Sequence, residues 1–132
     1  MTVQQTLAEM RHLMKQRGRL QDDISRAMAL ATNASPVLSK MPKQKKVSEK
    51  VAVFGTYCAD LQAQIDNINH KLVLFQADVV SAITAIPVGS EKQALSLRYI
   101  ELLPVRQVAK RMNYEREAMY LLLRKSESKW LS

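Results

Sequence analysis

Apolar residues recur in alternating steps of three and four along the chain between Ser48 and Ile86. The positions are Val51, Phe54, Cys58, Leu61, Ile65, Ile68, Leu72, Phe75, Val79, Ala82 and Ile86, and every one is apolar. Sustained over about five heptads, this spacing is typical of a coiled-coil seam. A single helix would expose the whole stripe to water, so the pattern predicts a partner helix.

The first 32 residues offer that partner. Val3, Leu7, Met10 and Met14 follow the same spacing, which Arg17 and Gln21 then interrupt. A neighbouring stripe takes over, consisting of Leu13, Leu20, Ile24, Ala27 and Ala31. Gly18 lies where the stripes exchange, and we expect a bend or a shift of register there.

Residues 33–47 carry Pro36, Pro42 and a lysine-rich end, and they are predicted to form a loop that reverses the chain. The sequence therefore predicts an all-α protein whose residues 1–88 form a long antiparallel helical hairpin, or coiled coil. Because two helices bury little apolar surface, we expect the hairpin to form a homodimer or a higher homo-oligomer.

Residues 89–132 are predicted to form a separate small module of short helices. Ser90 and Gln93 form a capping-box pattern after the break at Pro87 and Gly89. The first helix is expected to bury Leu95, Leu97, Ile100 and Leu103. The second begins with Pro104 in its first turn, runs from Val105 to Met112, and is expected to bury Val105, Val108, Ala109 and Met112. The third runs from about Glu115 to Trp130, with Ala118, Met119, Leu122, Leu123 and Trp130 as core candidates.

The last two helices have the layout of a helix-turn-helix motif. Ala109 is small enough for two helices to cross closely, and Asn113 tolerates a left-handed turn. In this motif the second helix enters the DNA major groove. Its outward face is predicted to carry Arg116, Glu117, Tyr120, Leu121, Arg124 and Lys125.

The charge of the chain favours polyanionic partners. Its 132 residues carry a formal net charge of +8, and their pI is near 9.8. Half of that excess lies in residues 90–132, which hold nine basic and five acidic side chains. The segment Lys40 to Lys50 is also rich in lysine and is expected to be a solvated loop that could add non-specific phosphate contacts.

Several classes of function have no support in the sequence. Cys58 is a single cysteine, which excludes an intramolecular disulfide, and we interpret it as a small buried hydrophobic residue. His12 and His70 belong to no motif, and no paired-carboxylate site, metal-ligand cluster or phosphate loop is recognisable. We therefore expect a protein that is not an enzyme and needs no cofactor or metal. The N-terminus lacks signal-peptide features and no long apolar run occurs, so we expect a cytoplasmic protein without a membrane partner.

The C-terminal sequence LSLRYIELLPVRQVAKRMNYEREAMYLLLRKSESKW resembles region 4 of bacterial sigma factors. It is closer to the version found in small phage proteins of Gram-positive bacteria, near the RinA and ArpU types of late transcription regulators. The matching residues are Leu97, Arg98, Tyr99, Ile100, Val108, Ala109, Tyr114, Met119 and Tyr120. The upstream stretch LATNASPVLSKMPKQKK resembles the helix and loop of the same phage group.

The chain departs from the pattern of that family at five positions. Leu102 and Asn113 stand where glycine is usual, and Pro104 and Glu115 replace serine caps. Leu121 stands where a basic residue is common. The recognition helix therefore begins almost neutral, with Glu115, Arg116 and Glu117 in sequence.

The resemblance implies a phage or prophage DNA-binding regulator of transcription, of late or packaging genes, acting in the host bacterial cell. Arg116 and Tyr120 are the candidates for contacts with base edges. Arg106, Lys110, Arg111, Arg124 and Lys125 are the candidates for contacts with the phosphates of double-stranded DNA. The alternative is a protein-interaction adaptor that binds host RNA polymerase or another protein, and a purely structural phage component is a third interpretation.

Overall fold

The computed structural model describes residues 2–38 and 44–132, with side chains placed for residues 2–31 and 52–132. The described chain is helical and contains no strand. Its helices are α1 (Val3–Leu38), α2 (Gln44–Thr84), α3 (Ser90–Leu95), α4 (Val105–Met112) and α5 (Arg116–Trp130), and a π-helical segment (Ser96–Ile100) directly follows α3. This confirms the predicted all-α class.

The two long helices extend into the region that was predicted to be a loop. Helix α1 continues to Leu38, and α2 begins at Gln44, so most of residues 33–47 is helical. The high helix propensity of Gln44, Lys45 and Lys46 accounts for the early start of α2. The predicted positions Pro42 and Lys40 lie outside the described residues. Helix α1 is also unbroken at Gly18, where we expected a bend.

The chain divides into two compact units, the first formed by residues 2–14 and 70–132 and the second by Lys15–Asn69. The second contains the remainder of α1 and the first part of α2. Within it Arg17 Nη1 donates a hydrogen bond to Asn69 Oδ1 at 2.9 Å, which joins α1 to α2. The boundary predicted near residue 88 between a hairpin and a helix-turn-helix module stays a prediction.

The second unit buries part of the predicted seam. Leu61, Ile65 and Ile68 of α2 and Ala27 of α1 are buried, as the apolar spacing predicts. Cys58, expected to be a buried hydrophobic residue, is only half-buried and its thiol is free. The side chain of Val51 lies outside those described.

The first unit buries the beginning of α1 and the end of α2. Its buried residues on these helices include Leu7, Met10, Met14, Leu72, Val79 and Ile86, which agrees with the predicted stripes. Three predicted positions, Val3, Phe75 and Ala82, are only half-buried, and Ile83, next to Ala82 in the sequence, is fully buried. The step of four from Val79 to Ile83 brings the larger side chain onto the buried face.

Helix α3 begins one residue earlier than the capping-box prediction requires, because Ser90 would have to precede the helix. Gly89 precedes the helix, Ser90 is its first residue, and no side chain caps its N-terminus. The expected capping box of Ser90 and Gln93 is therefore wrong. Instead, the backbone N–H of Gln93 bonds to the carbonyl of Gly89 at 3.0 Å, as in an ordinary first turn.

A left-handed residue, Leu102, lies two residues beyond the end of the π-helical segment. Leu102 has a φ of 57°, a conformation that costs a leucine about 1–2 kcal/mol. The following N–H, from Leu103, bonds to the carbonyl of Leu97 at 3.1 Å. Gln76 also closes this end by donating to the carbonyls of Tyr99 (3.3 Å) and Ile100 (2.7 Å). Backbone bonding thus maintains a conformation that glycine would adopt without strain.

A buried polar cluster connects α1, the π-helical segment and α5. The Tyr99 side chain is fully buried, and its hydroxyl donates to Glu127 Oε1. Arg11 Nη1 donates to the Tyr99 hydroxyl oxygen at 3.1 Å and lies 3.4 Å from Glu127 Oε2. Burial, reinforced by the Glu127 carboxylate, raises the pKa of Tyr99 well above its ordinary value. We call Arg11, Tyr99 and Glu127 the tyrosine cluster.

A second link joins the same helices. Gln4 Nε2 of α1 donates to the carbonyls of Glu127 and Leu131 at 3.1 and 3.2 Å. Glu127 lies in the last turn of α5, where its carbonyl also accepts from the N–H of Leu131 at 2.9 Å, and Leu131 is the residue after the helix. The start of α1 therefore caps the end of α5.

We expect the Leu102→Gly protein to be more stable than the Leu102→Ala protein by about 1 kcal/mol, because both lose the leucine side chain but only glycine relieves the left-handed strain. Urea unfolding of the two variants measures the difference. The exposed Gln64 inside α2 is the matched control. At that position the alanine variant should be more stable than the glycine variant by about 1 kcal/mol. If the Leu102→Ala protein is as stable as the Leu102→Gly protein, or more stable, the strain assigned to Leu102 is contradicted.

The tyrosine cluster predicts a loss of stability at high pH. The folded state retains the Tyr99 proton to higher pH than the unfolded chain, in which tyrosine titrates near pH 10. The contribution of the Tyr99 proton to the free energy of unfolding is therefore complete below about pH 10. It declines by roughly 1.4 kcal/mol per pH unit as the pH rises from there toward the pKa of Tyr99 in the folded state.

The Tyr99→Phe protein should be less stable than the wild type by roughly 2 kcal/mol at neutral pH, the value of a hydrogen bond to a charged group. Its stability should also fall less steeply above about pH 10. Urea unfolding of both proteins from about pH 8 to about pH 11 gives the two slopes, and equal slopes would refute the role of Tyr99.

Candidate nucleic-acid interface

Helices α4 and α5 pack against each other, and their contact carries the apolar residues that the sequence predicted. Val105, Val108 and Ala109 of α4 are buried, as are Met119 and Leu123 of α5. Met112 and Leu122 are half-buried, whereas Ala118 is exposed and the prediction that it belongs to the core is wrong. Ala118 is rotated by about 140° around the axis of α5 from the buried Leu123, on the side that faces water.

Asn113 forms the turn between the two helices as predicted. Its φ of 57° and ψ of 41° are left-handed, and the N–H of Tyr114 bonds to the carbonyl of Ala109 at 2.8 Å. The N–H of Asn113 lies 3.4 Å from the carbonyl of Lys110. This pair of bonds is a Schellman motif, which ends α4 and allows α5 to start three residues later.

Both helices begin without a side-chain cap. Pro104 precedes α4 as an extended residue and is not part of its first turn, one residue from the predicted position. Its carbonyl accepts from the N–H groups of Gln107 and Val108 at 2.9 and 3.1 Å. Glu115 precedes α5 in the same way, and its carboxylate bonds to no N–H of that turn.

The structure leaves every predicted DNA-contacting side chain exposed. These residues are Arg106, Lys110 and Arg111 on α4 and Arg116, Tyr120, Arg124 and Lys125 on α5. Exposure is necessary for such contacts. All seven side chains belong to the first compact unit, so their positions relative to one another on the packed helices α4 and α5 are described within that unit.

On α4, the cations differ in their partners. Arg111 Nη1 lies 3.6 Å from Glu101 Oε1, and the two side chains are 58% and 50% exposed, respectively. An exposed pair of this kind contributes little and can exchange its partner for a phosphate. Arg106 and Lys110 make no ion pair with another described residue.

On α5, Arg116 lies over the ring of Tyr120, with its guanidinium carbon 5.9 Å from the ring centroid. This contact is a cation–π interaction between residues four apart, and it orders both side chains on one face. Arg124 follows Tyr120 by one further turn on the same face. The neighbouring face presents Leu121, which is 67% exposed.

Two arginines adjacent to this face were not among the candidates. Arg11 of α1 and Arg98 of the π-helical segment line a cleft together with Tyr120 and Arg124 of α5. Arg98 was named only for the family resemblance, and helical periodicity gave no reason to bring it beside α5. Arg11 could not have been found, because its position depends on how the start of α1 packs against α5.

The opposite side of α5 is held by a polar network. Trp130 is half-buried, and its Nε1 donates to Glu91 Oε2 at 3.3 Å. Lys129 Nζ lies 3.5 Å from Glu91 Oε1 and 4.9 Å from the centroid of the Trp130 ring. Ser126, fully buried, donates to the carbonyl of Leu122 at 2.7 Å. These contacts fix α3 against α5 and leave the face with Arg116, Tyr120 and Arg124 outside.

The described part of the chain contains no group of three or more histidine, cysteine, aspartate or glutamate side chains that could hold a metal ion. Within residues 2–38 and 44–132, no helix is both long enough and apolar enough to span a bilayer.

Comparison with known proteins gave no relative: no protein-family model, no curated protein and no solved structure matches the chain.

Proposed function

We propose that the protein binds double-stranded DNA through α4 and α5 and regulates transcription as a phage or prophage protein of late or packaging genes. The observation that carries the proposal is the packed α4–α5 pair, joined by a left-handed Asn113 and bearing seven exposed basic or aromatic side chains. The proposal assigns this pair to the helix-turn-helix class, whose proteins present the second helix to the major groove.

The positions of the charges support distinct roles for the two helices. Arg116 and Tyr120 lie in the first two turns of α5, which is the part of a recognition helix that contacts base edges. Arg106, Lys110 and Arg111 on α4, with Arg124 and Lys125 farther along α5, are suited to phosphates on either side. Glu117 in the first turn reduces the local positive charge.

A second copy of the chain is part of the proposal, because helix-turn-helix proteins commonly read paired half-sites as dimers. The apolar side chains exposed on α2, among them Val53, Tyr57, Val73 and Leu74, support contact with another helix. The antiparallel hairpin of α1 and α2 belongs to the same proposal.

Two substitutions separate base reading from phosphate binding. Arg116→Ala should lower the preference for the specific site by about 1–3 kcal/mol, because arginine reads base edges with paired hydrogen bonds. Lys110→Ala should weaken binding to all duplexes and reduce the salt slope by about one unit. Electrophoretic shifts with DNA upstream of the gene, measured at several salt concentrations, give both quantities.

Lys71→Ala is the control for these measurements, since Lys71 is an exposed cation of α2 outside the proposed surface. Its affinity and salt slope should equal those of the wild type. The absence of salt-sensitive binding to any duplex would reject DNA binding.

A protein-interaction adaptor is the second candidate, and exposed apolar residues favour it. Leu121 is 67% exposed and Tyr120 45% exposed, in a helix that begins with Glu115, Arg116 and Glu117. Such a surface can dock on a protein such as host RNA polymerase. A polymerase subunit retained by the immobilised protein after nuclease treatment, but not by a Leu121→Lys variant, would favour the adaptor.

A further inference from the structure

The cleft beside α5 has a volume of about 340 Å³ and an excess of positive charge. Its charged lining consists of Arg11, Arg98 and Arg124 with a single carboxylate, Glu127, so the formal charge is +2. The hydroxyl groups of Tyr99 and Tyr120 are the other polar groups of interest. All these residues belong to one compact unit.

The carboxylate of Glu127 is already engaged. Its Oε1 accepts the hydroxyl hydrogen of Tyr99, and its Oε2 lies 3.4 Å from Arg11 Nη1. Glu127 therefore compensates Arg11 within the tyrosine cluster. The Glu127 carboxylate also favours the charged form of Arg98 without forming an ion pair with it, and the cleft keeps its net charge of +2.

Arg98 is a largely buried cation without an acidic partner. Its Nη1 donates to the carbonyl of Leu103 at 2.9 Å and lies 3.8 Å from Met14 Sδ. No carboxylate of a described residue lies within 4 Å of its guanidinium. Burial accordingly lowers the pKa of Arg98. Proteins normally pair a buried charge, because an isolated one is costly to desolvate.

The remaining nitrogens of Arg98 are not completely buried. Nε and Nη2 make no hydrogen bond with another described residue, yet no fully buried side-chain nitrogen or oxygen of those residues lacks a partner. These two nitrogens are therefore accessible, and the space that Arg98 lines is the cleft. Adjacent Nε and Nη2 groups form the fork with which arginine binds two oxygens of one anion.

Arg124 supplies a second cation at the exposed side of the cleft. It makes no hydrogen bond or ion pair with another described residue. Tyr120, one turn earlier, lines the same wall of α5. A phosphate monoester carries between one and two negative charges near neutral pH and offers three acceptor oxygens. Its charge and its acceptor oxygens suit a cleft lined by two guanidinium groups.

We infer that this cleft is a phosphate-binding site in which Arg98 and Arg124 hold the phosphate group. The phosphate of a DNA backbone and that of a small phosphorylated molecule offer the same chemistry. The site is separate from the base-reading residue Arg116, and phosphate binding would hold even if the protein recognises no specific DNA sequence.

Isothermal titration of the full-length protein with inorganic pyrophosphate, at constant ionic strength, tests the inference. Arg124→Gln should weaken binding about tenfold or more, the loss expected for a charge-assisted hydrogen bond. Arg98→Gln should weaken it at least as much. Lys71→Gln removes the same charge from an exposed position of α2 outside the cleft, and it should change affinity less than about twofold.

The two arginine variants also distinguish loss of the phosphate site from loss of the folded structure. Because Arg98 bonds to the carbonyl of Leu103, its variant is compared with the wild type by circular dichroism first. Arg124 is exposed and makes no internal bond, so its variant tests the site even if Arg98→Gln unfolds. Absence of pyrophosphate binding to the wild type, or an equal loss in Arg124→Gln and Lys71→Gln, would overturn the inference.

A competition experiment identifies the source of the phosphate and separates this inference from the proposed function. If saturating pyrophosphate displaces duplex DNA at constant ionic strength, the cleft receives a backbone phosphate. If DNA remains bound, or if the protein binds pyrophosphate but no duplex, the ligand is a free phosphorylated molecule. Each of these results supports a phosphate site. Binding of pyrophosphate without binding of any duplex would reject the proposed DNA binding and leave the phosphate site intact.

Discussion

The hydrogen bond from the buried Tyr99 hydroxyl to Glu127 determines how the C-terminal helices can be arranged. Tyr99 belongs to the π-helical segment, Glu127 to α5, and Arg11, the third member of the cluster, to α1. A fully buried phenol and a carboxylate that is 13% exposed each need a partner, so separating them would leave two polar groups without adequate solvation. The position of α5, and of α4 packed against it, follows from this requirement.

That arrangement also explains why one face of α5 is available for binding. Glu91 of α3 holds Trp130 and Lys129, the tyrosine cluster holds Glu127, and Met119 and Leu123 are buried. What remains outside is the face that contains Arg116, Tyr120 and Arg124. The same packing places Arg98 and Arg124 in the lining of one cleft, so the proposed phosphate site and the proposed DNA surface share a wall.

Local rules predicted the parts of the fold that depend on neighbouring residues. The bounds of α4 and the left-handed Asn113 follow from short-range pattern and turn chemistry, and the structure has both as expected. Prediction failed at other positions. Ser90 became the first residue of its helix, Ala118 remained exposed, and residues 33–38 continued α1 despite a proline at position 36. The cleft could not be predicted, because Arg11 and Arg98 are far apart in sequence and meet only through the packing of α1, the π-helical segment and α5.

The left-handed Leu102 has a consequence for how this sequence can change. Glycine would relieve the strain, but no leucine codon becomes a glycine codon by a single base substitution. The possible intermediate amino acids are valine, arginine and tryptophan, each of which has a Cβ, and valine is branched there as well. Selection that acts on single substitutions therefore meets a residue no better suited to the left-handed region before it can reach glycine. The strain can persist for that reason, without any functional benefit, in a protein stable enough to tolerate it.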